Sequence, residues 1–346
     1  MDLTKLLILP MGPTLASSRL RILQYRDYFR ENAVSCSTTY PYRDKTDSIT
    51  KLISAQKEYS SIVKSMVISD VCFMQKRLFS EIFWSKLKKV DTPLIFDLDD
   101  FIFAKQYENL SWFMARRTRK RLMSCFSRCS AVVVGNENLA TAVADYGFAD
   151  RVHVIPTGLD VDKYCVNARA SKKDPSALVL GWIGHSKNFD YLRPILEEIE
   201  KDGRLGKIQL AIMADKPIEG LPRSAEQRFL KWTERGEAKF LSSIDIGLQP
   251  LDDSTWARGK CSFKAIQYMA AGIPVLTSDV GSAAWTVGDG GIVLKDSRDW
   301  PEAILGLQNK PELLRYLGLQ GQKRARELFD LPVVGEAVLK VIRKVT

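Results

Sequence analysis

Histidine is almost missing from this 346-residue chain, which has two. Its six cysteines, at positions 36, 72, 125, 129, 165 and 261, are scattered and form no CxxC pair. These shortages argue against a zinc site and against a disulfide framework, and they point to reduced thiols in a cytoplasm. Cys125 and Cys129 can share a helix face, where two buried thiols are the plain account. No run of 18 apolar residues occurs, so no transmembrane helix is expected. The opening MDLTKLLILPMG has too short an apolar run, and no small-residue cleavage site, for a signal peptide. Short-period repeats and low-complexity tracts are also absent.

What is present is ordinary for a globular protein: 45% hydrophobic and 27% charged residues, on a length that suits two domains. The net charge of +10 is unevenly placed. Residues 101–130 hold Lys105, Arg116, Arg117, Arg119, Lys120, Arg121 and Arg128 against Glu108 alone. Such a patch suits a polyanion or an anionic membrane surface, and it also serves plain solubility. Nucleic acid is not expected as a partner, because aromatics are not interleaved with the basic run and no nucleic-acid motif occurs. A helix over 78–88, with Phe79, Phe83, Trp84 and Leu87, could lie on a membrane beside this patch or pack into a core.

Apolar runs bounded by turn residues read as strands near 5–9, 71–75, 94–97, 131–135 and 152–155. Helical patterns lie between them, and Ser17 or Ser18 suits an N-cap for the first. The polar stretch 160–176 reads as a linker. A second series of strands follows near 178–183, 208–213, 228–231, 245–248, 275–277 and 291–294, again with intervening helices. Strands alternating with helices twice over imply α/β architecture with two parallel sheets.

The stretch 245–281 is the richest. A strand leads into a polar loop with Asp252, Asp253 and Arg258, then a helix over 260–271 stopped by Gly272 and Pro274. On such a helix Lys260, Lys264 and Gln267 share one face, opposite Phe263, Ile266, Met269 and Ala270. Two lysines near a helix N-terminus suit a diphosphate; the same spacing is also that of a solvated lysine face. After the strand at 178–183, Gly184, His185, Ser186 and Lys187 form a loop whose backbone amides could approach a phosphate, or a plain turn.

PLDDSTWARGKCSFKAIQYMAAGIPVLTSDVG at 250–281 resembles the signature of a subgroup of family 4 (group 1) glycosyltransferases. LVLGWIGHSKNFDYL, VVVGNENLATAVADYGFADRVHVIPTGLDVDKY and PMGPTLASSRLRILQY agree with it in the family's order. The resemblance implies the GT-B fold, two Rossmann-like domains with parallel sheets facing a cleft. It divides the chain into an acceptor domain at 1–165, a donor domain at 166–330, and a helix at 331–346 crossing back to the first domain. It also implies transfer of a sugar from a nucleotide-diphosphate donor to a glycan or lipid-linked acceptor, with retention and with no metal or cofactor. The protein would be cytoplasmic or peripheral at the inner membrane face, with a role in envelope polysaccharide.

By the same resemblance Gly184, His185, Lys187, Lys260, Lys264, Gln267 and Gly281 bind the donor, and Gly12 and Arg19 the acceptor. Asp99, Lys264 and Arg258 are the candidate catalytic residues. Two departures stand out. His185 replaces a family arginine, and the family's Glu-x7-Glu pair falls on Gly259 and Gln267.

PLIFDLDDFIF also resembles the first motif of haloacid-dehalogenase-like phosphatases, with Asp97 and Asp99 as nucleophile and general acid. Phe101 stands where that family has a threonine. A non-catalytic GT-B sugar- or polyanion-binding protein is the third reading, given the two missing glutamates.

Overall fold

A computed structural model of the chain describes residues 3–41, 48–102, 112–165, 177–205, 208–219 and 226–346. Two compact units emerge from its contacts. The first comprises Met1–Gly158, Gly259–Cys261 and Leu331–Thr346, and the second Leu159–Arg258 and Ser262–Asp330. The division therefore falls after Gly158 rather than at 165. Leu159 N–H already donates to Phe329 O at 2.9 Å, and Val161 and Tyr164 are buried in the second unit's core. Residues 166–176 of the expected linker, and Lys105 and Glu108 of the basic stretch, lie outside the described residues.

In the first unit six parallel strands run in the order β2-β1-β3-β4-β5-β6. They are β1 (Thr4–Leu9), β2 (Val34–Thr38), β3 (Val71–Gln75), β4 (Leu94–Leu98), β5 (Ala131–Val134) and β6 (Val152–Val154). The sequence reading lacked β2, an edge strand reading VSCST that buries only Val34 fully. Helices α1 (Ala16–Arg21), α2 (Arg26–Glu31), α3 (Ser48–Val67), α4 (Glu81–Lys86), α5 (Trp112–Arg128) and α6 (Glu137–Ala144) connect the strands. Neither Ser17 nor Ser18 caps α1, which starts earlier. Ser18 lies inside it, buried, and donates to Gln75 Oε1 at 2.8 Å.

The second sheet has the order β12-β11-β10-β7-β8-β9, also parallel throughout. Its strands are β7 (Leu178–Ile183), β8 (Ile208–Ala214), β9 (Glu226–Lys231), β10 (Ile246–Gln249), β11 (Val275–Ser278) and β12 (Gly291–Leu294). Around them lie α7 (Val161–Tyr164), α8 (Phe189–Asp202), α9 (Glu237–Leu241), α10 (Thr255–Arg258), α11 (Phe263–Ala270), α12 (Ala283–Val287), α13 (Trp300–Asn309) and α14 (Pro311–Phe329). The strand order is the doubly wound one, with connections reversing direction between β7 and β10. The last helix, α15 (Leu331–Val345), belongs to the first unit. Val334, Val338, Leu339 and Ile342 share a core with Ile8, Tyr25 and Phe29.

At the carboxyl end of β4 a buried ion pair ties the first unit together. Arg21 donates to Asp97 from Nε at 3.1 and 3.3 Å and from Nη2 at 2.5 Å. Its Nη1 donates to Ile155 O at 2.8 Å, beyond the end of β6. Asp97 is 0% exposed. Burial works against the Arg21 charge, yet Asp97 holds the guanidinium above its ordinary pKa. Removing one partner of such a pair leaves a buried charge uncompensated, at about 3–5 kcal/mol. Asp97→Asn should therefore lose about that much stability in urea unfolding; a loss below about 1 kcal/mol would mean that the pair contributes little.

Candidate functional site

The point where strand connections reverse is where open parallel sheets bind ligands, outside the strands' carboxyl ends. In the second unit that point lies between β7 and β10. The two strands pair only through Ile246↔Leu180 and Gly247↔Gly181. Beyond this register Tyr268 of α11 enters the gap: its hydroxyl accepts from Ile183 N–H at 3.0 Å and donates to Leu248 O at 3.3 Å. Gly247 carries no side chain because a Cβ there would run into the Tyr268 ring. Gln249, at the end of β10, accepts from Ala265 N–H in the first turn of α11 at 2.8 Å. The helix thereby starts directly over the switch point.

Lys264 is the cation this arrangement delivers. Its Nζ sits 4.9 Å from the centroid of the Trp182 ring, on β7. A Cβ on Gly184 would come within 2.6 Å of that ammonium and 2.7 Å of the Trp182 ring. Gly184 is thus a glycine to make room for Lys264. Three amides of the loop expected to cradle a phosphate already have acceptors. Gly184 N–H donates to Met213 O, Ser186 N–H to Asp215 Oδ1 at 2.6 Å, and Lys187 N–H to His185 Nδ1 at 3.2 Å. The Ser186 amide holds the Asp215 carboxyl below its ordinary pKa. His185 lies 3.6 Å from Asp215, and Lys187 is exposed beside it. Ser262, just before α11, is buried with no hydrogen-bond partner for Oγ among the described residues.

The helix expected over 260–271 does not form as one piece. Ser262 takes a left-handed conformation with φ 47°, and α11 begins only at Phe263. Lys260 and Lys264 are therefore not neighbours one turn apart. Gly259–Cys261 belongs to the first unit, where Asn136 Nδ2 donates to Gly259 O at 3.0 Å and Lys260 O at 3.1 Å. Cys261 Sγ contacts Asp99 O at 3.2 Å and fills the space that a side chain on Gly135 would need. Gly259 lies against the Phe101 ring with no room for a Cβ. A glutamate cannot be accommodated there.

Gln267 and Gly281, expected at the donor, and Arg258, expected in catalysis, all lie in the second unit. Gln267 is buried, and its Nε2 is turned to Glu237 Oε2 at 3.2 Å and the Tyr164 hydroxyl at 3.4 Å. Glu237 also accepts from Tyr164 and Trp232 at 2.8 Å each. Arg258 is paired with Asp253 through Nε at 2.7 Å and Nη2 at 2.8 Å. Gly281, at φ +62°, packs its backbone on Arg258 O, 2.6 Å from where a Cβ would be. A cavity of about 370 Å³ opens elsewhere in this unit, lined by Asp190, Asp252, Asp253, Asp279 and Asp296 among others. So many carboxylates do not suit a diphosphate.

In the first unit Asp99 is held by Lys76, whose Nζ is 2.6 Å from Asp99 Oδ1 and 3.0 Å from Asp100 Oδ2. Burial opposes the Lys76 charge, but the two aspartates keep its pKa above the ordinary value. Burial and the Asp99 charge push Asp100 up, and Lys260 is among the cations that pull it back. Lys260 thus joins an acidic cluster in the first unit. Asp97 points the other way, onto Arg21, and has no oxygen free for nucleophilic attack. Gly12 is buried and Arg19 lies on α1, both in the chain that leaves β1. Residues that the sequence reading passed over are Trp182, Asp215, Lys76 and Arg77; only their places at strand ends could have marked them.

Solved structures match the whole chain at low identity. The structure of Anabaena Alr3699/HepE in complex with UDP and glucose superposes with a TM-score of 0.72 at 14% identity, over 99% of this chain and 100% of that one. The fold is GT-B. Sucrose-phosphate synthase from Thermosynechococcus elongatus gives 0.77 at 14% identity, covering 99% and 98% of the two chains. A glycosyltransferase from Rickettsia africae gives 0.76 at 9% identity, covering 100% and 99%. Residues 174–310, most of the second GT-B unit, match the family model described as glycosyl transferases group 1. Curated proteins yield no match.

Gly184→Ala tests the packing directly. It should displace Lys264 from Trp182, change the intrinsic tryptophan emission, and cost about 1–3 kcal/mol in urea unfolding, as overpacking does. An unchanged spectrum and midpoint would mean that Lys264 does not occupy this position.

Proposed function

We propose that the protein is a glycosyltransferase that moves a sugar from a nucleotide-diphosphate donor to a glycan or lipid-linked acceptor. The observation that carries this reading is Lys264, an ammonium fixed at the β7/β10 switch point between Trp182 and Gly184. The match of 174–310 to group 1 glycosyl transferases supports it, as does the UDP held by the HepE structure. In this scheme Lys264, with the Ser262 hydroxyl at the mouth of α11, binds the donor diphosphate. As the glycosidic bond breaks, negative charge grows on the departing phosphate, and a pre-positioned cation lowers the barrier more than it tightens ground-state binding. The reaction is proposed to retain anomeric configuration and to need no protein nucleophile and no metal. Asp99, held by Lys76, is the proposed acceptor-side carboxylate.

A charge-assisted hydrogen bond is worth about 1.5–3 kcal/mol, so losing it costs about 10- to 100-fold. Lys264→Ala should depress turnover by at least that factor, with a smaller change in UDP affinity. Screening UDP and other nucleotide sugars by thermal stabilisation identifies the donor first, since a ligand at about 100 times its Kd adds about 2.7 kcal/mol. A folded Lys264→Ala protein with unchanged kinetics would remove the diphosphate from this helix. Donor binding without turnover would favour the non-catalytic GT-B reading. The phosphatase reading has no support from the site, because Asp97 is buried on Arg21.

We also propose contact with an anionic membrane surface, on the cytoplasmic side, through the start of α5. Phe79, Phe83, Trp84 and Leu87 are buried, so the helix around them is core rather than membrane-facing. The start of α5 instead exposes Trp112 (66%), Phe113 (77%) and Met114 beside exposed Arg116, Arg117, Arg119 and Lys120. None of the described helices is long and apolar enough to cross a membrane. Binding to anionic vesicles should weaken with salt, at about 1 kcal/mol per basic residue near the surface. Replacing Trp112 and Phe113 by serine should weaken it further. Equal binding to neutral and anionic vesicles would refute this contact.

A further inference from the structure

The first unit has its own switch point, between β1 and β3, because β2 lies on one side of β1 and β3 to β6 on the other. A cavity of about 320 Å³ opens there, lined by residues that follow all three strand ends: Met11 after β1, Pro41 after β2, and Lys76, Arg77 and Phe79 after β3. Glu58 and Tyr59 of α3 complete the wall.

Arg77 is the unusual member. Its side chain is 9% exposed, and its guanidinium lies 4.6 Å from the centroid of the Phe79 ring. Nη2 is paired with Glu58, whereas Nη1 is buried with no hydrogen-bond partner among the described residues. Burial lowers its pKa to about 10, which still leaves it charged at neutral pH. A buried guanidinium N–H without an acceptor is costly, and a charged donor has the strongest call for one. Two residues back, at the end of β3, Gln75 Nε2 is also buried and without a partner among the described residues, while its Oε1 accepts from Ser18. The apolar walls are aromatic: Tyr59 meets Phe79 edge-on at 5.6 Å, and Phe79 stacks on Phe83 at 3.8 Å. Of these rings Tyr59 is the partly exposed one, and its face suits the C–H side of a pyranose ring. The backbone at Lys76 is held at φ 47°, a strained conformation for a lysine, and its ammonium reaches Asp99 from this wall.

We propose that this cavity binds an anionic sugar, one that carries a carboxylate or a phosphate, with the oxyanion on Arg77 Nη1 and the ring against Tyr59. Resting on the transferase reading, that sugar is the acceptor, and it lies beside the Lys76–Asp99 pair. Glu58 serves to hold the guanidinium in place from the opposite side.

The test uses three probes on the full chain, measured by titration calorimetry in the presence of UDP: methyl glucuronide, glucose 1-phosphate and the neutral methyl glucoside. An anionic probe should bind at least about tenfold more tightly than methyl glucoside, since one charge-assisted contact is worth about that ratio or more. Preference for the glucuronide assigns a carboxylate, and preference for glucose 1-phosphate a phosphate. Arg77→Gln alone leaves Glu58 buried and unpaired, so the double variant Glu58→Gln/Arg77→Gln accompanies it. The double variant should lose the anion preference and keep its affinity for UDP. Equal binding of the three probes, no binding of either anion, or an anion preference unchanged in the double variant would overturn the proposal; in those cases water satisfies Arg77. A wild-type protein that fails to bind any nucleotide sugar would instead refute the transferase reading while the cavity result stands.

Discussion

The carboxyl end of the first sheet depends on one buried ion pair. Arg21 reaches from α1, which follows β1, to Asp97 at the end of β4 and to Ile155 beyond β6. Parallel strands are joined by long crossovers, so nothing in the ladder itself fixes where the loops beyond their ends will lie. A guanidinium with five donors in a rigid fork does so, by bonding three separated pieces of chain at once. The same pair decides the chemistry of the DLDD run. Asp97 is drawn inward and spent, whereas Asp99 and Asp100 turn to Lys76. Two aspartates with phosphatase spacing thus have unlike roles, which spacing alone does not show.

The two units place cations at equivalent topological points by different means. In the second, Tyr268 wedges between β7 and β10, and an absent Cβ at Gly184 leaves the Lys264 ammonium on an indole face. In the first, Arg77 lies on a phenyl face and is fixed from one side by Glu58. Both cations rest on aromatic rings, which support charge without consuming a hydrogen-bond donor. Arg77 also keeps Nη1 without a hydrogen-bond partner among the described residues.

Most of the fold could be read from the sequence, and the reasons are physical. Strands such as β1, β3, β4, β5, β7 and β10 are short apolar runs bounded by turn residues and almost wholly buried, as inner strands of parallel sheets are. VSCST escaped because an edge strand buries one face and keeps polar residues on the other. The site was read less well. Lys264 and Gly184 meet for packing reasons that spacing cannot carry. Lys260 was misplaced because 260–271 has helical composition throughout, and the break at Ser262 is a backbone event. The one local clue was serine itself, a residue type that helix starts favour. Arg77 had no signal beyond its position after an apolar strand, since an unpartnered Nη1 depends on everything that surrounds it.

The first unit is assembled from three stretches of chain, and this has a bearing on how such proteins could be recombined. Cys261 occupies the space above Gly135, Asn136 holds Gly259 and Lys260, and α15 covers Tyr25 and Phe29. A gene fragment ending at Gly158 would encode every strand of the first sheet, yet leave a hollow at Gly135 and an apolar face open on α2. An exchange of first units between two such chains must therefore carry the short GKC insert and the final helix along with the amino-terminal half. A single crossover would join a sheet to a plug and a cover shaped for a different one.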